Sequence, residues 1–132
     1  MSQKQLIIDF LCSDYYKDKS IFEKYVHPKV SLSWNSTNGY SKFNYTELFD
    51  MVSNMGKSFT KLTAEISHAI AEDSQVAVRF TYDVETLEHP DSLPLAHFMS
   101  IWEIKDDKIF KIYLLSHAAD ENTENIISYF EP

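Results

Sequence analysis

The sequence predicts one α+β domain in which three N-terminal helices pack on an antiparallel sheet. Apolar residues first recur at helical spacing, and from Leu62 onward they alternate with polar residues. Only two glycines and four prolines interrupt the 132 residues, so most of the chain should be regular structure. This length suits a single domain. We therefore treat residues 1–132 as one domain, with residues 121–132 as a C-terminal tail or short helix.

The first two helices are predicted near the N-terminus. Apolar residues at i, i+1, i+4 and i+5 favour a helix over residues 3–16. Asp18 or Ser20 can cap a short second helix. That helix should stop at His27-Pro28, because the residue before a proline avoids the helical region.

A first strand and the third helix follow. Residues 30–34 alternate between apolar and polar side chains, as in a half-buried strand, and a turn should lead into a short strand over residues 40–43. Asn44 or Thr46 can cap the third helix, which should cover residues 47–57 with its apolar residues on one face.

Four long strands should complete the sheet. They are predicted at residues 62–72, 75–85, 95–105 and 108–118. Their short connections leave no room for the crossovers that parallel pairing requires, so we expect an antiparallel meander. In the first of these strands, strict alternation places His68 and Ile70 on the same face as Leu62.

The last hairpin sets the predicted site. A two-residue turn at Asp106-Asp107 would pair Ile104 with Ile109. Counting outward in steps of two then places aromatic residues and one histidine on a single face: Phe98, Trp102, Tyr113 and His117. The opposite face, with His97, Met99, Ile101 and Leu114, is also apolar. Because the chain has little left to cover that second face, we expect a homodimer through the sheet.

Charge and composition limit the partners. Twenty acidic and twelve basic residues give a net charge of −8, which argues against nucleic acid and anionic membranes. A lone cysteine, Cys12, allows no disulfide within the chain, and the N-terminus lacks a signal sequence, so we expect a cytoplasmic protein. The five histidines lack metal-ligand spacing. We expect neither a metal nor another cofactor.

Three segments resemble the NTF2-like superfamily, in particular its SnoaL-like branch. They are the His-Pro entry into the first strand at residues 27–34, the strand at residues 76–80, and the hairpin at residues 101–109. Asp107 stands where the family usually has glycine, as does Asn44 before the third helix. Both residue types tolerate positive φ. The resemblance implies a strongly bent sheet that wraps into a cone around a cavity.

The resemblance also implies a small-molecule site. An apolar or amphipathic ligand would be lined by six aromatic residues: Trp34, Phe80, Tyr82, Phe98, Trp102 and Tyr113. Where catalytic SnoaL-like cyclases carry an acid, the count along the last strand reaches His117, with Asp120 beyond it. His117 is thus the candidate for proton transfer in an isomerase, cyclase or hydratase. Two alternatives stay open: that the aromatic residues simply fill the core, and that the protein is a non-catalytic dimerisation or protein-interaction module.

Overall fold

The computed structural model describes residues 2–36, 39–87 and 93–118, and within them the chain forms three helices and six strands. The elements are α1 (Gln3–Leu11), α2 (Lys19–Tyr25), β1 (Val26–Ser36), β2 (Gly39–Phe43), α3 (Tyr45–Ser58), β3 (Lys61–Glu72), β4 (Gln75–Glu85), β5 (Leu93–Lys105) and β6 (Lys108–Ala118). The predicted tail over residues 121–132 lies outside the described residues. No helix in the described ranges is long and apolar enough to span a membrane.

The strands form one curved sheet in the order β2-β1-β6-β5-β4-β3. All neighbours are antiparallel except β1 and β6, which run parallel. The prediction of a purely antiparallel sheet is therefore wrong at this one junction. Parallel pairing is possible here because α3 and four strands separate β1 from β6 and provide the long return path that it requires. The third helix also follows the β1-β2 hairpin, so not all helices precede the sheet.

Local signals explain where the helices begin and end. Asp18 caps α2 through a hydrogen bond from the Ser20 backbone N–H. Asn44 and Glu47 form a reciprocal capping box at the start of α3. Both caps were among the predicted alternatives. The first helix is shorter than predicted, because it ends at Leu11 and the chain turns through residues 12–17.

The three helices cover one face of the sheet, which we call the inner face. Helix α1 packs on β3 and β4, α2 on β1 and β6, and α3 on β1 and β2. The buried core lies between these layers. In β3, a bulge between Ile66 and His68 ends the predicted alternation, so Ala69 packs on the core while His68 and Ile70 are exposed. The prediction that His68 and Ile70 share a face with Leu62 is wrong for this reason.

Candidate ligand-binding site

A cavity of about 330 Å³ lies between the helices and the inner face of the sheet. Its walls come from all three helices, from the segment between α1 and α2, and from strands β1, β4, β5 and β6. The lining residues are Phe10, Leu11, Tyr15, Phe22, Val26, Leu32, Trp34, Ser36, Leu48, Met51, Val52, Met55, Phe80, Tyr82, Leu95, Ala96, Phe98, Trp102, Ile112, Leu114 and Ser116. No charged side chain and no histidine is among these lining residues.

Three aromatic rings from β4 and β5 form one wall of the cavity. Phe80 and Phe98 face each other across the strand pair and stack with ring centroids 4.7 Å apart. Tyr82 meets Phe98 edge to face, with centroids 5.4 Å apart. This wall exists because residues two apart on a strand share a face. It offers flat apolar surfaces of the kind that aromatic ligands contact.

Two tyrosine hydroxyls provide a polar point in this apolar cavity. The Tyr15 and Tyr82 oxygens share a hydrogen bond of 2.6 Å. Tyr15 lies in the turn after α1, where its ring stacks on Phe10 at 4.3 Å. Burial raises the pKa of Tyr15, and burial together with the neighbouring Tyr15 raises the pKa of Tyr82. Both phenols therefore keep their protons at neutral pH.

The two tryptophans that line the cavity already have hydrogen-bond partners. The Trp34 indole N–H donates to Ser116 Oγ at 2.7 Å, which connects β1 to β6. The Trp102 indole N–H donates to Ser100 Oγ, also at 2.7 Å, and Ser100 Oγ in turn donates to the Val78 carbonyl. These bonds fix both rings, so the indoles present mainly apolar surface to the cavity.

Five of the six predicted aromatic residues line the cavity: Trp34, Phe80, Tyr82, Phe98 and Trp102. Their position follows from simple alternation along β1, β4 and β5. Whether they bind a ligand stays a prediction.

Tyr113 and His117 lie on the opposite, outer face of the sheet and are exposed. Ile104 does pair with Ile109 as predicted, but Glu103 then pairs with Lys111, so a bulge at Phe110 shifts the register by one residue. The prediction that Tyr113 and His117 share a face with Phe98 and Trp102 is therefore wrong.

The bulge exchanges the two faces of β6. Ile112, Leu114 and Ser116 face the cavity. The sequence analysis had placed their neighbours Tyr113 and His117 on that face. His117 instead pairs with His97 on the outer face, with ring centroids 5.3 Å apart. His117 thus loses the cavity position on which its proposed role in proton transfer depended.

Sequence reasoning missed several lining residues. Tyr15 was assigned to the face of a longer α1, and only the end of that helix at Leu11 brings it beside Tyr82. Met51 and Met55 are four residues apart on α3, so they lie on the same side of the helix. The order Ile109, Ile112, Leu114 carried a signal for the bulge, because the step of three breaks the alternation of a regular strand.

One comparison with known proteins identifies a family. The family model described as a SnoaL-like domain matches residues 16–112. A search of curated proteins found no match. Among solved structures, IdmH, a proposed polyketide cyclase from Streptomyces antibioticus, has a TM-score of 0.69 at 11% identity, with 100% of both chains covered.

Two further structures have similar folds. AclR, a proposed hydroxylase from Streptomyces galilaeus, has a TM-score of 0.67 at 15% identity, and the match covers 98% of this chain and 85% of AclR. A proposed SnoaL-like polyketide cyclase from Jannaschia sp. CCS1 has a TM-score of 0.65 at 8% identity, with 96% and 90% covered. At such identities the structures share a fold with this chain.

Proposed function

Because the chain belongs to the SnoaL-like domain family, we propose that it binds a small apolar or amphipathic molecule in the cavity between its helices and sheet. One observation carries the proposal: about 330 Å³ of space is lined almost entirely by aromatic and aliphatic side chains. Small-molecule sites typically occupy about 300–1,000 Å³ and are lined mainly by such residues. A core that needed only to be filled would not keep this volume open.

Binding is favoured over proton transfer. The polar side chains among the described lining residues are tyrosine, tryptophan and serine, and none of these is a base near neutral pH. The tyrosines are even weaker acids than usual, because burial raises the pKa of both phenols. Similar folds described as proposed cyclases or a proposed hydroxylase act on small molecules, but the described lining residues here provide no acid-base pair.

Titration with naphthalene tests the proposal. Naphthalene is small enough for the cavity and has no hydrogen-bonding group, so it reports on the apolar walls alone. We expect saturable binding of one equivalent, followed by naphthalene fluorescence, with a negative heat-capacity change because apolar surface is buried.

A matched pair of substitutions locates the binding. Ala96→Phe would place a ring in the cavity that Ala96 lines, and should abolish binding. Ala77→Phe makes the same change at an exposed position outside the lining, and should leave binding intact. Equal binding to both variants, or none to the wild type, would contradict the proposal.

We also propose that two copies associate through the outer face of β5 and β6. Four exposed apolar side chains lie there in two adjacent cross-strand pairs, Met99 with Leu115 and Ile101 with Tyr113, which we call the outer-face patch. A contiguous apolar patch is typical of an interaction surface. It occupies the hairpin on which the sequence placed the dimer, although Leu114, assigned to that face, lines the cavity instead.

Light scattering tests whether the outer-face patch is a dimer interface. The wild type should be a dimer at micromolar concentration, and Leu115→Lys should be a monomer because it places a charge in the patch. Leu87→Lys changes an exposed apolar residue just after β4, outside this patch, and should leave the dimer intact. A monomeric wild type would contradict this proposal without affecting the first.

A further inference from the structure

His97 and His117 form a cross-strand pair on the outer face, at the end of the outer-face patch. They are directly opposed in the register of β5 and β6, where side chains on one face stand about 4.5–5.5 Å apart at Cβ. Because the two residues are distant in the sequence, spacing rules for metal ligands do not detect them. The bulge at Phe110 brings them together, since without it His117 would lie on the inner face.

The separation of the two rings suits a tetrahedral metal ion. Zn²⁺ binds imidazole nitrogen at about 2.0–2.1 Å, which places each ring centroid about 3.2 Å from the ion and two centroids about 5.2 Å apart at the tetrahedral angle. The centroids of His97 and His117 are 5.3 Å apart. Partial burial lowers the pKa of His97, which keeps its imidazole in the neutral form that binds metals. Zn²⁺ would exchange any hydrogen bond of a ring nitrogen for a bond to the metal.

The described part of one chain does not complete such a site. Within the described ranges, no group of three or more His, Cys, Asp or Glu side chains is placed to hold a metal ion. Structural zinc sites have four ligands. Arg79 also lowers the pKa of His97, so its positive charge would oppose a metal ion here. Two imidazoles alone should therefore hold Zn²⁺ weakly, and two further ligands from a second molecule would complete the site.

The outer face of the β5-β6 hairpin is self-complementary. It presents four successive cross-strand rows: His97 with His117, Met99 with Leu115, Ile101 with Tyr113, and Glu103 with Lys111. A two-fold axis that runs between β5 and β6, parallel to the strands, would place each row on the same row of a second copy with the two residues exchanged. The apolar rows then meet, Glu103 faces the partner's Lys111, and the two histidine pairs face each other.

From these observations we infer that two copies of this chain bind one Zn²⁺ ion between them through His97 and His117 of each copy. This inference rests on the proposed dimer and adds a metal ion and the direction of the two-fold axis to it. Packed sheets lie about 10 Å apart, so an ion midway between them is about 5 Å from each sheet and within reach of an imidazole. The net charge of −8 also favours binding of a cation.

Measurement of the dimer with and without Zn²⁺ tests the inference. Analytical ultracentrifugation of the wild type should give a dimer dissociation constant about 10-fold or more lower in ZnCl₂ than in EDTA, because the four-ligand site exists only in the dimer. Titration with Co²⁺ should saturate at one ion per two chains. It should also produce the strong visible absorption of a tetrahedral site, which hydrated Co²⁺ lacks.

The decisive variant replaces both histidines, His97→Gln together with His117→Gln. Glutamine keeps a polar side chain at each position but provides no imidazole ligand. The double variant should therefore show the same association in ZnCl₂ and in EDTA, and no Co²⁺ absorption. His68→Gln removes an exposed histidine on β3 and should retain the wild-type response to both ions.

Each outcome has a separate meaning. A dimer that Zn²⁺ strengthens, with one ion per two chains and no response in the double variant, supports the inference. A wild-type dimer that Zn²⁺ does not strengthen, one ion bound per chain, or a response that survives in the double variant overturns it while the proposed dimer stands. A wild type that stays monomeric with and without Zn²⁺ overturns the proposed dimer and the inference with it. Naphthalene binding in the cavity is independent of all these results.

Discussion

The imidazole rings of His97 and His117 lie 5.3 Å apart on neighbouring strands, at the end of the outer-face patch. Partial burial lowers the pKa of His97 below its ordinary value of 6.5, and the nearby His117 and Arg79 lower it further. A second positive charge at this place is therefore disfavoured. His97 should stay neutral under conditions in which an isolated histidine is half protonated.

We predict that His117→Gln raises the pKa of His97. The substitution removes the imidazole that helps to lower the pKa of His97, so protonation of His97 is opposed less. The measurement is an NMR titration of the His97 ring nitrogens in wild type and variant. His68→Gln, at an exposed position on β3, serves as the control and should leave the His97 titration unchanged. A lower or equal His97 pKa in the His117 variant would contradict the prediction.

The same shift predicts the direction of a pH effect on stability. The unfolded chain binds a proton at the ordinary pKa of 6.5, whereas folded His97 binds it only at lower pH. The free energy of unfolding should therefore decrease as the pH falls below about 6.5, and this contribution should be absent above that pH. Urea denaturation at several pH values checks it, because His97→Gln should show a smaller decrease than wild type over this range.

Alternation predicted the faces of β4 and β5 correctly but failed on β3 and β6, and the cause is the same in both strands. Val76, Val78 and Phe80 are buried as a strict step of two requires. A bulge adds one residue to β3 near Ser67 and one to β6 at Phe110, and each addition exchanges the faces beyond it.

The part of the candidate site that regular strands form could be predicted, whereas the part that depends on a long-range contact could not. The aromatic wall from β4 and β5 follows from alternation and turn chemistry, and the Asp106-Asp107 turn forms as predicted, with both residues at positive φ. The contribution of Tyr15 was not predictable from local sequence, because it depends on where α1 ends and on a contact 67 residues away along the chain. Long-range contacts of this kind leave no periodic signal.

The register of β6 predicts that substitutions of two adjacent leucines change stability by very different amounts. Leu114 lines the cavity, whereas Leu115 is 57% exposed on the outer face. Leu114→Ala should reduce the free energy of unfolding by about 2–3 kcal/mol, the lower part of the range for core leucines, because the cavity already leaves one side unpacked. Leu115→Ala should cost less than about 0.5 kcal/mol when measured on a monomeric background such as Met99→Lys. The reverse order in urea denaturation would favour the unbulged register.

Thr81 provides a stabilising prediction. Its side chain is fully buried on the outer side of β4, and its Oγ1 has no hydrogen-bond partner among the described residues. Thr81→Val keeps the shape of the side chain and removes the unsatisfied hydroxyl, so it should increase the free energy of unfolding by about 1–2 kcal/mol. Thr63→Val makes the same change at an exposed position on β3 and should have an effect within about 0.5 kcal/mol. A destabilised Thr81 variant would show that its hydroxyl has a partner in solution.

Gly56 lies within α3, where replacement of glycine by alanine ordinarily stabilises a helix by about 1 kcal/mol. Here the opposite is expected, because a Cβ on Gly56 would clash directly with the Tyr16 carbonyl oxygen. Lys17 Nζ also donates to the Gly56 and Phe59 carbonyls at 2.7 Å, which holds the segment after α1 against the end of α3. This close contact supports the turn that positions Tyr15.

We therefore predict that Gly56→Ala lowers the free energy of unfolding by about 1–3 kcal/mol, as for other overpacked sites. Asn54→Ala, at an exposed position on the same helix, should instead be neutral or slightly stabilising because alanine has the higher helix propensity. Thermal and urea denaturation of both variants test this contrast. A stabilised Gly56→Ala variant would mean that α3 does not approach Tyr16 so closely.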